Sequence, residues 1–213
     1  GLVIRMLEEG KQVALITDAG TPAVSDPGAR AVARVQDAGF PVVPVPVASA
    51  VITALSASGL ADGHFHFHGF LPTKSAARRA SLESLRSVPG TLVFYEAPHR
   101  IAETLDDLAA VFEPARELVV ARELTKMFEQ IVRMPITEGP AWLAADANRA
   151  RGEFVLLVSA APVAEGLSPE AERVLGLLLA ELPVKQAAKL AAAITGESKN
   201  ALYERALAMR DEG

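Results

Sequence analysis

The sequence predicts an α/β fold of two lobes followed by a helical tail, and three observations predict it. Short β-branched runs alternate with amphipathic stretches of about ten to fifteen residues, the pattern of crossover units and a largely parallel sheet. Half of the 213 residues are apolar, enough for a substantial core. From Ser168 the composition turns to Ala- and Leu-rich helix.

The first lobe spans residues 1–70. Residues 13–17 read as a buried strand, Asp26, Pro27 and Gly28 as the cap and first turn of a helix running to Ala38, and Gly39 as its stop. A strand over 42–45, a helix from Ala50 to Gly59 and a strand over 64–70 follow. The second lobe, residues 71–162, opens with a helix carrying Arg78, Arg79 and Arg86, the first two on a solvated face that an RNA backbone can also contact. A strand over 91–95, a helix over 98–112, strands over 118–122 and 128–133, a helix over 140–145 and a strand over 153–159 complete it. In the tail, residues 168–213, Ser168 is the N-cap, Pro169 the first helical position, and Leu175, Leu178, Leu179 and Leu182 repeat at helical spacing. Two shorter helices, over 184–194 and 199–209, give a helix-turn-helix-like end with Leu190, Ile194, Leu202 and Ala206 facing inward.

Composition excludes several chemistries. With no cysteine there are no disulfides, thiolate nucleophiles or cysteine-held metals. The net charge of −5 argues against charge-driven coating of nucleic acid and leaves shape and specific contacts to recognise any RNA. No apolar run approaches the roughly 20 residues of a membrane span, and the first residues do not form an export signal, so a cytoplasmic protein is expected. GxGxxG, Walker A and HExxH strings are absent. His64, His66 and His68 share one strand face, but half-exposed alternation explains them and no carboxylate has ligand spacing, so no metal is expected.

The densest local signal is TDAGTPAVSDPG, residues 17–28, between a strand and a helix start. Gly20 lets backbone approach a ligand, Thr21 and Ser25 offer hydroxyls, and the helix N-terminus offers free N–H groups. A second loop, PVPVASA over 44–50, opens a helix at the same sheet edge, so two strand-end loops can enclose one ligand. Tight capped turns are the plainer reading of both loops.

Together with GFLPTK (69–74), TLVFYEAPHR (91–100), ARELTK (121–126) and RGEFVLLV (151–158), these strings resemble the small-subunit rRNA ribose 2′-O-methyltransferases of the tetrapyrrole methylase superfamily. The resemblance implies a two-lobed fold with S-adenosylmethionine in the cleft. It places Gly20, Thr21, Pro22 and Val24 in one donor-binding loop, Ser49 and Ala50 in a second, and Tyr95, Glu96, Gly152, Glu153 and Phe154 in second-lobe segments closing on the adenosyl part. It also implies a homodimer and an RNA-contacting tail. Two departures stand out. Pro46-Val47-Ala48-Ser49 replaces the family's Pro-Gly-Pro-Ser, and the family's N-terminal strand and glycine-containing loop would precede residue 1.

Methyl transfer to a ribose oxygen is mainly a positioning task, helped by removing or hydrogen-bonding the hydroxyl proton. Lys74, Glu96, His99, Arg100, Arg122, Glu123 and Lys126 all fall just beyond predicted strands. Glu96 and Glu123 are the candidate proton acceptors or orienters, and Lys74, Arg100 and Lys126 the candidate phosphate or ribose contacts. Surface ion pairs or caps would produce the same residues. The competing readings are methylation of a corrin or porphyrin precursor, and a donor- or RNA-binding fragment without turnover.

Overall fold

Five strands form one mixed sheet in the order β1-β2-β5-β3-β4, in a computed structural model that describes residues 1–17, 21, 28–162 and 166–211. They are β1 (Phe65–Phe70), β2 (Thr91–Glu96), β3 (Glu117–Arg122), β4 (Gln130–Pro135) and β5 (Phe154–Val158). β1 and β2 are parallel, whereas β5 lies antiparallel to β2 and β3, and β4 antiparallel to β3. The expected largely parallel sheet is therefore corrected to a mixed one. Alternation of strand and helix signals that crossovers exist, but not that the last strand returns to the middle of the sheet in the opposite direction. Nor does it show that a short loop makes β3 and β4 a hairpin. The sheet also takes in β1, which the sequence groups with the first lobe.

Helices α1 (Leu2–Glu8) and α2 (Ala29–Asp37) bury none of their side chains, and α1 is an element the sequence reading missed. α3 (Ala50–Ser58) lies over one sheet face, where Val51 and Ala54 join Val93, Val119, Ala121, Val155 and Leu157. The other face carries α4 (Ser75–Leu85), α5 (Ile101–Val111) and α6 (Gly139–Ala144), packed on Leu92, Phe94, Leu118, Val120, Phe154, Leu156 and Val158. Adjacent residues of β2, β3 and β5 serve opposite cores. Strands covered on both faces read as continuous apolar runs, which is why these three were visible in the sequence.

The expected strands over 13–17 and 42–45 are not formed. Neither segment has a ladder partner among the described residues, and Ile16, Val43 and Val45 stand 85%, 79% and 75% exposed. β-branched runs make a strand only where a neighbour supplies the other half of each hydrogen bond.

Arg78 is not on a solvated face. It is 1% exposed, with Nε 2.6 Å from Asp107 Oδ2 and Nη2 3.0 Å from Glu103. Arg79 Nε reaches the other Asp107 oxygen at 2.5 Å, and Ser75 donates to the same carboxylate. Burial pushes the Asp107 carboxyl up, but the hydrogen bonds from Arg79 and Arg78 outweigh it and hold it below its ordinary value. Arg116, also fully buried, stacks 4.6 Å from the Phe112 ring centroid and pairs with Glu113.

Residues Val163–Gly213 form a second compact unit. Ser168 caps α7 (Pro169–Leu179) by accepting from Ala171 N at 3.2 Å, as its sequence signature predicts. α8 (Val184–Thr195) buries Val184, Ala187, Ala188 and Ala191, and α9 (Lys199–Asp211) contributes Leu202 and Ala206. Leu190 and Ile194, expected inside, are exposed, because the small-residue stripe of α8 faces its neighbours and these two lie on another side.

Removing one partner from the α4–α5 network leaves buried charge uncompensated, so Asp107→Ala should cost about 3–5 kcal/mol. Arg79→Ala, at a site 54% exposed, should cost under about 1 kcal/mol. Urea midpoints at unchanged slope would measure both. The Glu113 carboxyl, opposed by burial but held by Arg86 and Arg116, is lowered to about 2. A depressed folded-state pKa contributes stability above the ordinary value of 4.5 that is lost as pH falls toward 2. Glu113→Gln should flatten the stability profile in that acid window and leave its shape near neutrality unchanged.

Candidate functional site

Two successive rungs of paired residues, together forming an edge row, run across the sheet where β1, β2 and β3 end and β4 and β5 begin. Phe70 pairs with Tyr95, Tyr95 with Val155, Glu96 with Phe154, Phe154 with Arg122, and Arg122 with Gln130. The expected second-lobe site residues lie on this row or in the turns leaving it. Carboxyl ends of strands are where α/β proteins gather ligand-binding loops.

Glu96 is 2% exposed and turned inward. Its Oε1 accepts from Ala97 N at 2.8 Å and its Oε2 from the Thr104 hydroxyl of α5 at 2.7 Å. Arg100 Nε lies 3.2 Å from Oε1 without the alignment of a hydrogen bond, while its Nη2 donates to the carbonyls of Leu71 at 2.7 Å and Pro72 at 3.2 Å. Glu96 and Arg100 thus tie the GFLPTK turn to the start of α5. His99 and Lys74 are exposed, Lys74 at the N-cap position of α4 without a capping bond. Phe154 is in the core.

The ARELTK and RGEF strings interlock. Glu123 N donates to Glu153 O, and Glu123 Oε1 accepts from Glu153 N and from Lys126 Nζ, each at 3.0 Å. Lys126 Nζ also reaches Glu153 Oε2 at 3.0 Å. Glu123 (φ +51°) and Thr125 (φ +65°) have positive φ, a strained conformation for residues with a Cβ and one that concentrates at functional sites. Gly152 has φ +93°, and a Cβ there would sit 2.3 Å from Glu123 Cγ. The Lys126 and Glu153 N–H hydrogen bonds hold the Glu123 carboxyl below its ordinary range, and the same pairing, first with Glu153 and then Glu123, raises Lys126.

Across the row, Tyr95 packs edge-on against Phe67 at 4.9 Å and Phe70 at 5.7 Å. Burial raises its phenol pKa, against a hydrogen bond with the Val51 backbone in the first turn of α3. Ala50 and Tyr95 both pack against the core cluster of Val51, Val93 and Val155, which sets the start of α3 beside the row. The Thr21 hydroxyl donates to Ala48 O at 3.4 Å, which links residue 21 to the 44–50 loop although neither of the strands expected before them is formed. Gly20, Pro22 and Val24 lie outside the described residues. Among the described residues no group of His, Asp or Glu is placed to hold a metal ion.

The sequence reading missed Met127, Phe128 and Arg149. By running a strand from residue 128, it hid an exposed aromatic tip that precedes β4, whose first residue is Gln130. The available signal was an apolar pair directly after the polar ELTK turn.

The mixed sheet covered by helices on both faces makes this an α/β protein, and its sequence puts it in the tetrapyrrole methylase class. The family model Tetrapyrrole (Corrin/Porphyrin) Methylases matches residues 2–139, and that of the RsmI C-terminal HTH domain matches residues 165–210. Two solved structures share the fold. The methyltransferase CobJ has a TM-score of 0.56 at 21% identity over 75% of this chain and 69% of that one. The cobalt precorrin-4 methyltransferase CbiF has a TM-score of 0.55 at 16% identity, over 74% and 68%. Proteins named ribosomal RNA small subunit methyltransferase I are much nearer in sequence. That of Pseudomonas aeruginosa is 52% identical over 97% of this chain and 74% of its own length, and that of Escherichia coli O157:H7 is 48% identical over 96% and 72%. The chain belongs to this family of tetrapyrrole methylase-type methyltransferases.

Because both the backbone conformation and the space at residue 152 demand glycine, Gly152→Ala should displace Glu123 and break its link to Lys126. A stability loss of about 1–3 kcal/mol is expected in thermal or urea unfolding. A variant as stable as the parent would show that the two strings do not interlock.

Proposed function

We propose that this chain transfers the methyl group of S-adenosylmethionine to a cytidine ribose 2′-hydroxyl of small-subunit ribosomal RNA, working as a cytoplasmic homodimer. The single row of second-lobe residues at one sheet edge carries this reading, in a chain 52% identical to a protein named for that class of substrate. No described helix is long and apolar enough to cross a membrane.

S-adenosylmethionine, when bound, would supply an electrophilic methyl carbon for in-line attack by the ribose oxygen, an oxygen–carbon bond forming as the carbon–sulfur bond breaks, with S-adenosylhomocysteine as the leaving group and the hydroxyl proton passing to an acceptor. The residues fit such a donor. Thr21, Ser49 and Ala50 bring small side chains and the first turn of α3 to the row, joined in this assignment by Gly20, Pro22 and Val24. Tyr95 supplies a ring, and Glu153 lies beside it in this assignment, with Gly152 making room for the Glu123 side chain. Glu96 and Phe154 face the interior and act by fixing the edge, Glu96 as a positioning residue for the Arg100 clamp. Glu123 is charged at neutral pH like any ordinary carboxylate, and because the hydrogen bonds from Lys126 and Glu153 N–H lower its pKa further it suits orienting the ribose hydroxyl better than strong proton abstraction. Exposed Lys74 and half-exposed Lys126 serve as phosphate or ribose contacts.

In this reading residues 1–70 and 71–162 are the two lobes, with β1 of the first joining the sheet of the second, and 168–213 extend the RNA contact. Lys185, Lys189 and Lys199 are exposed on the helical unit. Labelled donor offered with isolated small subunits, naked rRNA and a tetrapyrrole precursor tests the assignment. Label should enter a ribose of the small-subunit RNA. Deleting the chain after Pro162 should leave donor affinity nearly unchanged while sharply lowering that methylation, with the lost RNA affinity salt-sensitive. Label on the tetrapyrrole alone would establish the competing reading, and equal RNA activity without the tail would remove its assigned role.

A further inference from the structure

Beside the row, the loop between β3 and β4 ends in Met127 and Phe128, 90% and 68% exposed. They form one wall of an open pocket of about 380 Å³, completed by Arg122, Glu129, Gln130, Asp146 and Arg149. That volume is at the small end of ligand pockets, roughly 300–1,000 Å³.

The polar lining is held in place before any ligand arrives. Arg149 Nη1 donates to Trp142 O at 2.6 Å, and its guanidinium lies 4.9 Å from the Trp142 ring centroid. Arg122 donates to Asn148 O at 2.6 Å, Arg151 O at 3.0 Å and Gln130 Oε1 at 2.9 Å. Glu129 accepts from Thr125 N at 2.6 Å and Asp146 from Asn148 N at 2.8 Å. Groups fixed in this way lose little freedom on binding.

Two guanidinium groups face two carboxylates, so the lining is close to neutral. A phosphate would meet Glu129 and Asp146 at a cost, and an aliphatic group would strip water from four charged side chains without replacing the hydrogen bonds that water made. A flat, uncharged heterocycle with donors and acceptors at its edge satisfies the whole set. Aromatic side chains and guanidinium planes stack on unpaired bases, and carboxylates accept from exocyclic amino groups.

We infer that this pocket takes one unstacked nucleobase of the RNA substrate, stacked on Phe128 and bonded at its edge by Arg149 and Asp146. The inference rests on the rRNA reading above and adds a base-binding site outside the residues assigned to the donor. The loop belongs to the same interlock that holds Glu123, so a base seated here would be registered directly against the row.

Phe128→Ala, Phe128→Leu and Phe128→Trp test it, since so exposed a side chain contributes little to folding. With unmodified small ribosomal subunits as probe, Phe128→Ala and Phe128→Leu should raise KM for the subunit about 5- to 150-fold, the range of one lost base stack. kcat at saturation and calorimetric affinity for S-adenosylmethionine should stay at parent values, and Phe128→Trp should restore KM. An unchanged KM in Phe128→Ala overturns the inference. So does a parallel loss of donor affinity, which would make the tip part of the donor site, or dissociation of a dimer, which would make it a subunit contact. A parent protein that methylates a tetrapyrrole and not the small subunit overturns this inference and the rRNA reading together. RNA methylation indifferent to Phe128 overturns only this one.

Discussion

Strand β5 is the element on which the rest of the sheet depends. All five of its residues are buried, it pairs with β2 on one side and β3 on the other, and it feeds both cores alternately. Without it the parallel β1–β2 pair and the β3–β4 hairpin would be separate two-stranded pieces, each marginal alone. Its antiparallel direction also decides what meets at the edge. Because β5 starts where β2 and β3 end, the RGEF segment is delivered to the FYEAPHR and ARELTK turns and nowhere else.

At that edge most charged residues are committed to one another. Glu96 and Arg100 join the turn after β1 to α5, whereas Glu123, Lys126 and Glu153 form a partly exposed set above the strands. The division separates the residues that build the edge from those that can face a substrate. A carboxylate saturated by Thr104, Ala97 N and a neighbouring guanidinium cannot turn outward without leaving buried groups unpaired. Glu123, by contrast, keeps its carboxylate partly exposed.

Legibility followed the kind of signal. β2, β3 and β5 were plain because burial on both faces makes their sequences uniformly apolar, and α7 was plain because Ser168 and Pro169 mark its start. The runs over 13–17 and 42–45 carry the same β-branched composition, but composition does not supply a partner strand. Arg78 was misread because one-dimensional spacing does not reveal an aspartate on α5 waiting beneath it. The site strings were visible as strings. Their meeting through β5, the Gly152–Glu123 contact and the inward turn of Glu96 required three dimensions.

The two compact units also differ in how they can assemble during synthesis. In residues Val163–Gly213 each helix packs against a neighbour close in sequence, so its contacts form locally and quickly. In Gly1–Pro162, β2 and β3 are made well before β5, and their facing edges stay open until residues 154–158 emerge. Loop closure over such separations is slow, and unpaired edges invite pairing with other chains. The nascent chain therefore passes through a stage in which its central apolar strands lack their middle member. Substitutions in β5 should act on folding yield during translation as strongly as on the finished protein.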